Sequence, residues 1–166
     1  PSIKKLIYSC QVGVSAFVGE ISSGVITVTF NMIILNLAGN TGVAAYGVVA
    51  NTSLVAVALF NGIAQGSQPL ISRSYGRGEE QNVRSLLKMA LTTALGLGVL
   101  LMIFIFFSAP AVTAVFNSEH DLQLAAYADS GLRLYFIGFL FAGINIVGTA
   151  ALSAVESVKY AFCASI

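Results

Sequence analysis

Between Lys5 and Arg73 the chain carries one formal charge, Glu20, and the runs 89–118 and 134–155 carry none. Uncharged apolar runs of this length leave few options. A bilayer core about 30 Å thick is crossed by about 20 apolar residues in α-helix, and a helix satisfies its own backbone hydrogen bonds where water is absent. Four stretches meet that requirement, at about 10–37, 43–72, 86–107 and 132–155, and a fifth apolar stretch begins after Lys159. Charged residues make up 9% of the chain and hydrophobic ones 57%, where a soluble domain carries about 25% charge. The expected fold is therefore an all-α membrane protein, with the lipid bilayer as its first partner.

Several function classes fall away on the same evidence. A net charge of +1 with scattered basic residues offers no footprint for nucleic acid. Cys10 and Cys163 lie far apart with no CxxC pair, so neither a disulfide framework nor a metal site is expected. The single histidine, His120, stands in a polar connection among Glu119, Asp121 and Asp129, and no catalytic constellation gathers around it. The chain reads as a non-enzyme without cofactor. Beginning at Pro1 and stopping at Ile166 inside an apolar stretch, it reads as a piece of a longer protein.

Turn chemistry separates the spans. Gly39, Asn40 and Gly42 predict a tight helical hairpin between the first two. The connection after Arg73 and the turn beyond it hold Arg73, Arg77, Arg84 and Lys88, half of the eight basic residues. The third connection, 108–131, is acidic, and Ser118, Glu119, His120 and Asp121 predict a short surface helix leading into the fourth span. Lys4, Lys5, the Arg73 connection and Lys159 fall on one side and Arg133 on the other. By the positive-inside rule both chain ends are cytoplasmic, and the plasma (inner) membrane is the expected location.

Glu20 is the candidate for chemistry. A charged carboxylate at the centre of a membrane helix costs about 2.5–3.5 kcal/mol on insertion scales, so intramembrane acids are retained for function. On a helix Thr27 and Asn31 project within about 20° of Glu20, which gives the first span one polar face. Glu20 itself lies about 15 Å from the cytoplasmic end. Burial favours the protonated acid and an arriving cation favours the carboxylate, so one side chain makes proton and cation binding compete. The uncharged walls of such a site have candidates in Thr27, Asn31, Asn51 and Asn145. For Asn51 and Asn145 a cavity wall and a bond between helices remain alternatives, whereas Asn61 and Gln65 read as interhelical hydrogen-bond glue. Gly62 and Gly66, with Gly138, Gly143 and Gly148, read as close-packing positions. Pro69 is expected to bend or end its helix.

The run Gly42-Val43-Ala44-Ala45-Tyr46-Gly47-Val48-Val49-Ala50-Asn51, followed by Gly62-Ile63-Ala64-Gln65-Gly66-Ser67-Gln68-Pro69-Leu70-Ile71 and by Tyr75-Gly76-Arg77-Gly78, resembles the multidrug and toxic compound extrusion (MATE) family. The likeness is to the second half of such a transporter, spans seven to ten of twelve. It implies a twelve-helix protein of two six-helix bundles, of which this chain supplies four helices and the start of a fifth. It also implies a partner bundle N-terminal in the same polypeptide, and export of small organic, often cationic, compounds in exchange for Na+ or H+. An acid in the seventh span serves as a cation-site residue in several branches of the family, and Glu20 within Gly19-Glu20-Ile21-Ser22-Ser23-Gly24 matches it. Some branches place a second acid in the tenth span. Here nothing acidic lies between Arg133 and Glu156, and Asn145 is the nearest polar substitute. The alternatives are a lipid-linked oligosaccharide flippase of the same superfamily and a membrane scaffold that transports nothing.

Overall fold

The computed structural model describes residues 3–118 and 120–155, with side chains described at Phe17 and from Ile21 onward. Among the described residues the chain is all-helical: α1 spans Ile3–Gly76, α2 Glu80–Phe116 and α3 Leu122–Ala154. Ile21–Gly76, Glu80–Phe116 and Leu122–Ala154 are each long and apolar enough to cross a membrane. The fifth apolar stretch lies outside the described residues.

α1 is two helical arms joined at Gly39, whose φ of 64° and ψ of −161° are not helical. That backbone region is essentially restricted to glycine. The chain folds back there. The Phe30 and Tyr46 rings stack at 6.4 Å, although sixteen residues of straight helix would set them about 24 Å apart. A side chain at Gly42 would lie 3.1 Å from Ile34 Cγ2. The predicted turn between residues 38 and 42 thus has its break at Gly39.

Gly78, with φ 72°, ends the second arm. Gly78 N–H donates to the Tyr75 carbonyl at 3.0 Å and Glu79 N–H to the Ser74 carbonyl at 3.0 Å, which is the Schellman pattern that satisfies terminal carbonyls. Tyr75-Gly76-Arg77-Gly78 is thus a helix stop. Pro69 does not end the arm, which stays helical to Gly76. At the other end of α2, Asn117 accepts from Asp121 N–H at 3.0 Å and donates to the Asp121 carbonyl at 2.8 Å. Asp121 then caps α3 by accepting from Gln123 and Leu124 N–H. The connection shrinks to 117–121, and α3 runs unbroken from Leu122. The separate surface helix predicted ahead of the fourth span is therefore the first turns of α3 itself.

Three stripes of small and apolar residues build the core at helical spacings, most of them four residues apart. They include Ala45, Val49, Ala56, Phe60 and Ala64 on α1, Ala90, Ala94 and Ala109 on α2, and Ala128, Leu132, Phe136, Phe139 and Val147 on α3. Phe60 is fully buried, stacked on Phe139 with ring centroids 6.0 Å apart. Its ring occupies the space over Gly143, where a Cβ would meet Cδ1 and Cζ at 2.7 and 2.8 Å. Gly98 brings α2 onto α3, with the Phe139 carbonyl 3.3 Å from where a Cβ would stand. Close backbone approach through small residues is how helices pack without a hydrophobic driving force. Among the described residues nothing lies within 4 Å of a Cβ placed on Gly62, Gly66, Gly138 or Gly148, so none of these draws two described helices together.

Candidate functional site: a polar groove between two helices

The second arm of α1 and α3 border an open groove of about 530 Å³, in which Asn61, Gln65, Gln68, Asn145, Thr149 and Ser153 stand beside Ala64, Ile146 and Ala150. The six polar residues come from two helical stripes. Asn61, Gln65 and Gln68 stand at i, i+4 and i+7, and Asn145, Thr149 and Ser153 at i, i+4 and i+8, so each set shares one face. The core fixes the rotation of both helices. Burying Phe60 and Ala64 on one side, and Gly143, Val147 and Ala151 on the other, leaves the amides at the edge of the contact.

Within α3 the Thr149 hydroxyl donates to Asn145 Oδ1 at 3.4 Å and the Ser153 hydroxyl to the Thr149 carbonyl at 3.0 Å. Asn61, Gln65 and Gln68 make no side-chain hydrogen bond among the described residues. Among the described residues they therefore bond no two helices together. Asn61 and Gln65 are exposed and Gln68 is half-buried, so their donors and acceptors are open to whatever occupies the groove. Pro69 adds to this. With no N–H on residue 69, the Gln65 carbonyl loses the donor it would have within the helix. The groove thus combines amide donors, amide and carbonyl acceptors, and hydroxyls, and none of these carries charge. Such a lining can solvate a cation through its oxygens or hold a polar organic molecule by hydrogen bonds.

Of the candidates named from sequence, one, Asn145, lines the groove. Asn51 is exposed, and its amide donates to the Gly47 carbonyl at 2.8 Å. On the first arm the Thr27 hydroxyl donates to the Ser23 carbonyl at 2.9 Å and the Asn31 amide to the Thr27 carbonyl at 3.0 Å. Thr27, Asn31 and Asn51 do not line the groove. Glu20 belongs to α1, and its side chain lies outside the described residues. Asn61, Gln65, Gln68, Thr149 and Ser153 are the groove residues that sequence reasoning missed. Their signal was present in the two stripes with i, i+4 spacing.

Long apolar helices packed through small residues, with a cleft of uncharged polar groups along their contact, define an integral membrane protein. The chain belongs to the MatE family, whose family model matches residues 16–166, and is a membrane transporter of the MATE type. No curated protein and no solved structure matches it.

Proposed function

We propose that this chain is most of one bundle of a secondary active antiporter. The whole protein would export small organic, often cationic, compounds in exchange for Na+ or H+. The observation that carries the reading is the groove: six polar, uncharged residues on facing helices of a MatE protein. An organic cation can be bound there by carbonyl and hydroxyl oxygens without a fixed charge to hold it back, so it can also leave. Glu20 is the ion-coupling residue in this reading. Its occupancy by a proton or by a cation is mutually exclusive, and each charge moved through 100 mV supplies about 2.3 kcal/mol.

In the same reading the two arms of α1 cross the membrane separately, which makes four crossings, with a fifth beginning in the apolar stretch after Lys159. Both ends lie on the cytoplasmic side of the plasma (inner) membrane, and an N-terminal bundle of the same polypeptide closes the cavity. Thr27, Asn31 and Asn51 line the part of that cavity which faces the other bundle. A flippase for a pyrophosphate-linked lipid is disfavoured because the groove lining contains no Lys or Arg.

The test is efflux of a fluorescent organic cation by the full-length protein in vesicles, under Na+ and H+ gradients imposed separately. Wild type should respond to one gradient, and Glu20→Gln should insert normally but fall to the level of empty vesicles. Undiminished gradient-driven efflux by Glu20→Gln would sink the coupling role. A wild type that ignores both gradients would sink the antiporter.

A further inference from the structure

A second cleft, of about 530 Å³, opens between α2 and α3 and is of the opposite character: Met102, Ile103, Phe106, Leu134 and Ile137 form apolar walls around Arg133 and Ser130. Arg133 is the single Lys or Arg between Lys88 and Lys159. Its guanidinium is held in place from two sides. Nη2 pairs with Asp129 Oδ2 at 3.1 Å, and the group lies over the Phe106 ring, 5.2 Å from its centroid. The Nε–H is buried with no hydrogen-bond partner. A guanidinium presents five donors in a planar fork, and one carboxylate oxygen does not satisfy them.

The cleft also has a direction. The 117–121 connection makes α2 and α3 antiparallel neighbours. Arg133 and Phe106 stand about 15 Å from it. Met102, Ile103 and Ile137 stand about one helical turn further in. From Leu134 onward α3 carries no charge through Val155, a run of about 33 Å at helical rise. Arg133 therefore marks the edge of the hydrocarbon layer, and the apolar walls continue from it toward the bilayer centre. A cation at headgroup depth above an apolar slot fits an amphiphile with an anionic head.

We propose that this cleft binds one anionic phospholipid from the leaflet at the 117–121 end, its phosphate on the Arg133 guanidinium and an acyl chain against Ile103 and Ile137. Arginine suits the task because its fork matches phosphate oxygens and stays charged. Asp129 orients the fork and at the same time competes with the phosphate for it. The site is separate from the amide groove, which lies on the opposite partner of α3, and does not depend on what is transported.

The experiment uses the full-length protein, delipidated in detergent and exposed to equal amounts of phosphatidylglycerol and phosphatidylcholine with matched chains, the retained lipid being counted by native mass spectrometry. Both lipids carry the phosphodiester, but choline sets a second cation beside the guanidinium, so wild type should retain the anionic lipid by about tenfold over the zwitterionic one, the scale of one like-charge repulsion at intermediate dielectric. Arg133→Gln should bring the ratio near one. Because that change strands the Asp129 carboxylate, the pair Asp129→Asn with Arg133→Gln is measured beside it and should do the same. Asp129→Asn alone should raise the ratio, since it frees the guanidinium; a purely structural ion pair would leave the ratio unchanged or lower it. Ile137→Trp should reduce retention of both lipids. Equal retention by wild type overturns the proposal, as does an unchanged ratio in the double variant. Displacement of the lipid by glycerophosphoglycerol or inorganic phosphate at lipid-like concentrations would also overturn it, since the slot would then contribute nothing.

Discussion

The two arms of α1 are alike in hydropathy and opposite in what they do with it. Between residues 21 and 41 nothing is buried, and Ile26, Val28, Met32 and Leu37 are exposed. Past Gly39, the second arm buries Ala45, Val49, Ala56, Phe60, Ala64 and Ile71. The difference lies in residue size. The second arm repeats a small residue every three or four positions, matched by Ala90, Ala94 and Gly98 on α2 and by Ala128 and Gly143 on α3. The first arm offers β-branched and large side chains with only Gly24 and Ala38 between them past the serines. Where lipid is as apolar as leucine, hydrophobicity puts a helix in the membrane, and the small-residue stripe decides which helices meet.

The largest effect is expected at Phe60. Phe60→Ala empties the space between α1 and α3 and should cost about 3–5 kcal/mol, read as the shift in reversible unfolding in mixed micelles. Val28→Ala, in a stretch with no buried residue among those described, should stay within about 0.5 kcal/mol. A loss above about 2 kcal/mol at Val28 would break the contrast, because it would mean that the first arm is packed against protein.

Between the arms, Gly39→Ala should cost about 1–3 kcal/mol, the scale for a non-glycine residue forced into that backbone region. The turn also sets where the first arm points, so the same change should lower efflux by the full-length protein more than it lowers stability. A neutral result on both measures would show that the break tolerates an ordinary backbone.

The hairpin, the basic connection and the all-helical membrane fold were legible because each rests on local chemistry: Gly39 and Gly78 in positive-φ positions, and uncharged runs too long for any other structure. Helix ends were less so. Apolar content tells which residues suit lipid and does not say where a helix stops, so α2 continues past Pro110 to Phe116 and α3 starts at Leu122, where Asn117 and Asp121 supply the caps. The groove was legible only as two separate stripes. Whether Asn61 and Gln65 face Asn145 depends on the rotation of both helices, which the fit of Phe60 against Gly143 sets, and no local pattern announces a contact between residues so far apart in the chain. Asn145 was found because a polar residue in an uncharged span is conspicuous by itself. Gln65 was read as interhelical glue because amides in membrane helices commonly hydrogen-bond between helices, a bond it does not make among the described residues.

The smallest stability effects are expected in the groove, and they separate a packing role from a transport role. An interhelical amide bond in a membrane protein is worth about 0.6 kcal/mol on average, and Gln65 and Asn145 make no such bond across the groove. Gln65→Ala and Asn145→Ala should each therefore leave the unfolding midpoint almost unmoved, and the double variant should be additive within about 0.5 kcal/mol. Efflux should behave differently. If both amides face one transported molecule, each single change should raise the apparent KM several-fold, and the double change should fall short of the product because the two act on the same bound species. Val55→Ala, also exposed and on the same arm, should change neither quantity. Two groove variants with unaltered KM would make these amides bystanders and would move the polar path to the face carrying Thr27 and Asn31.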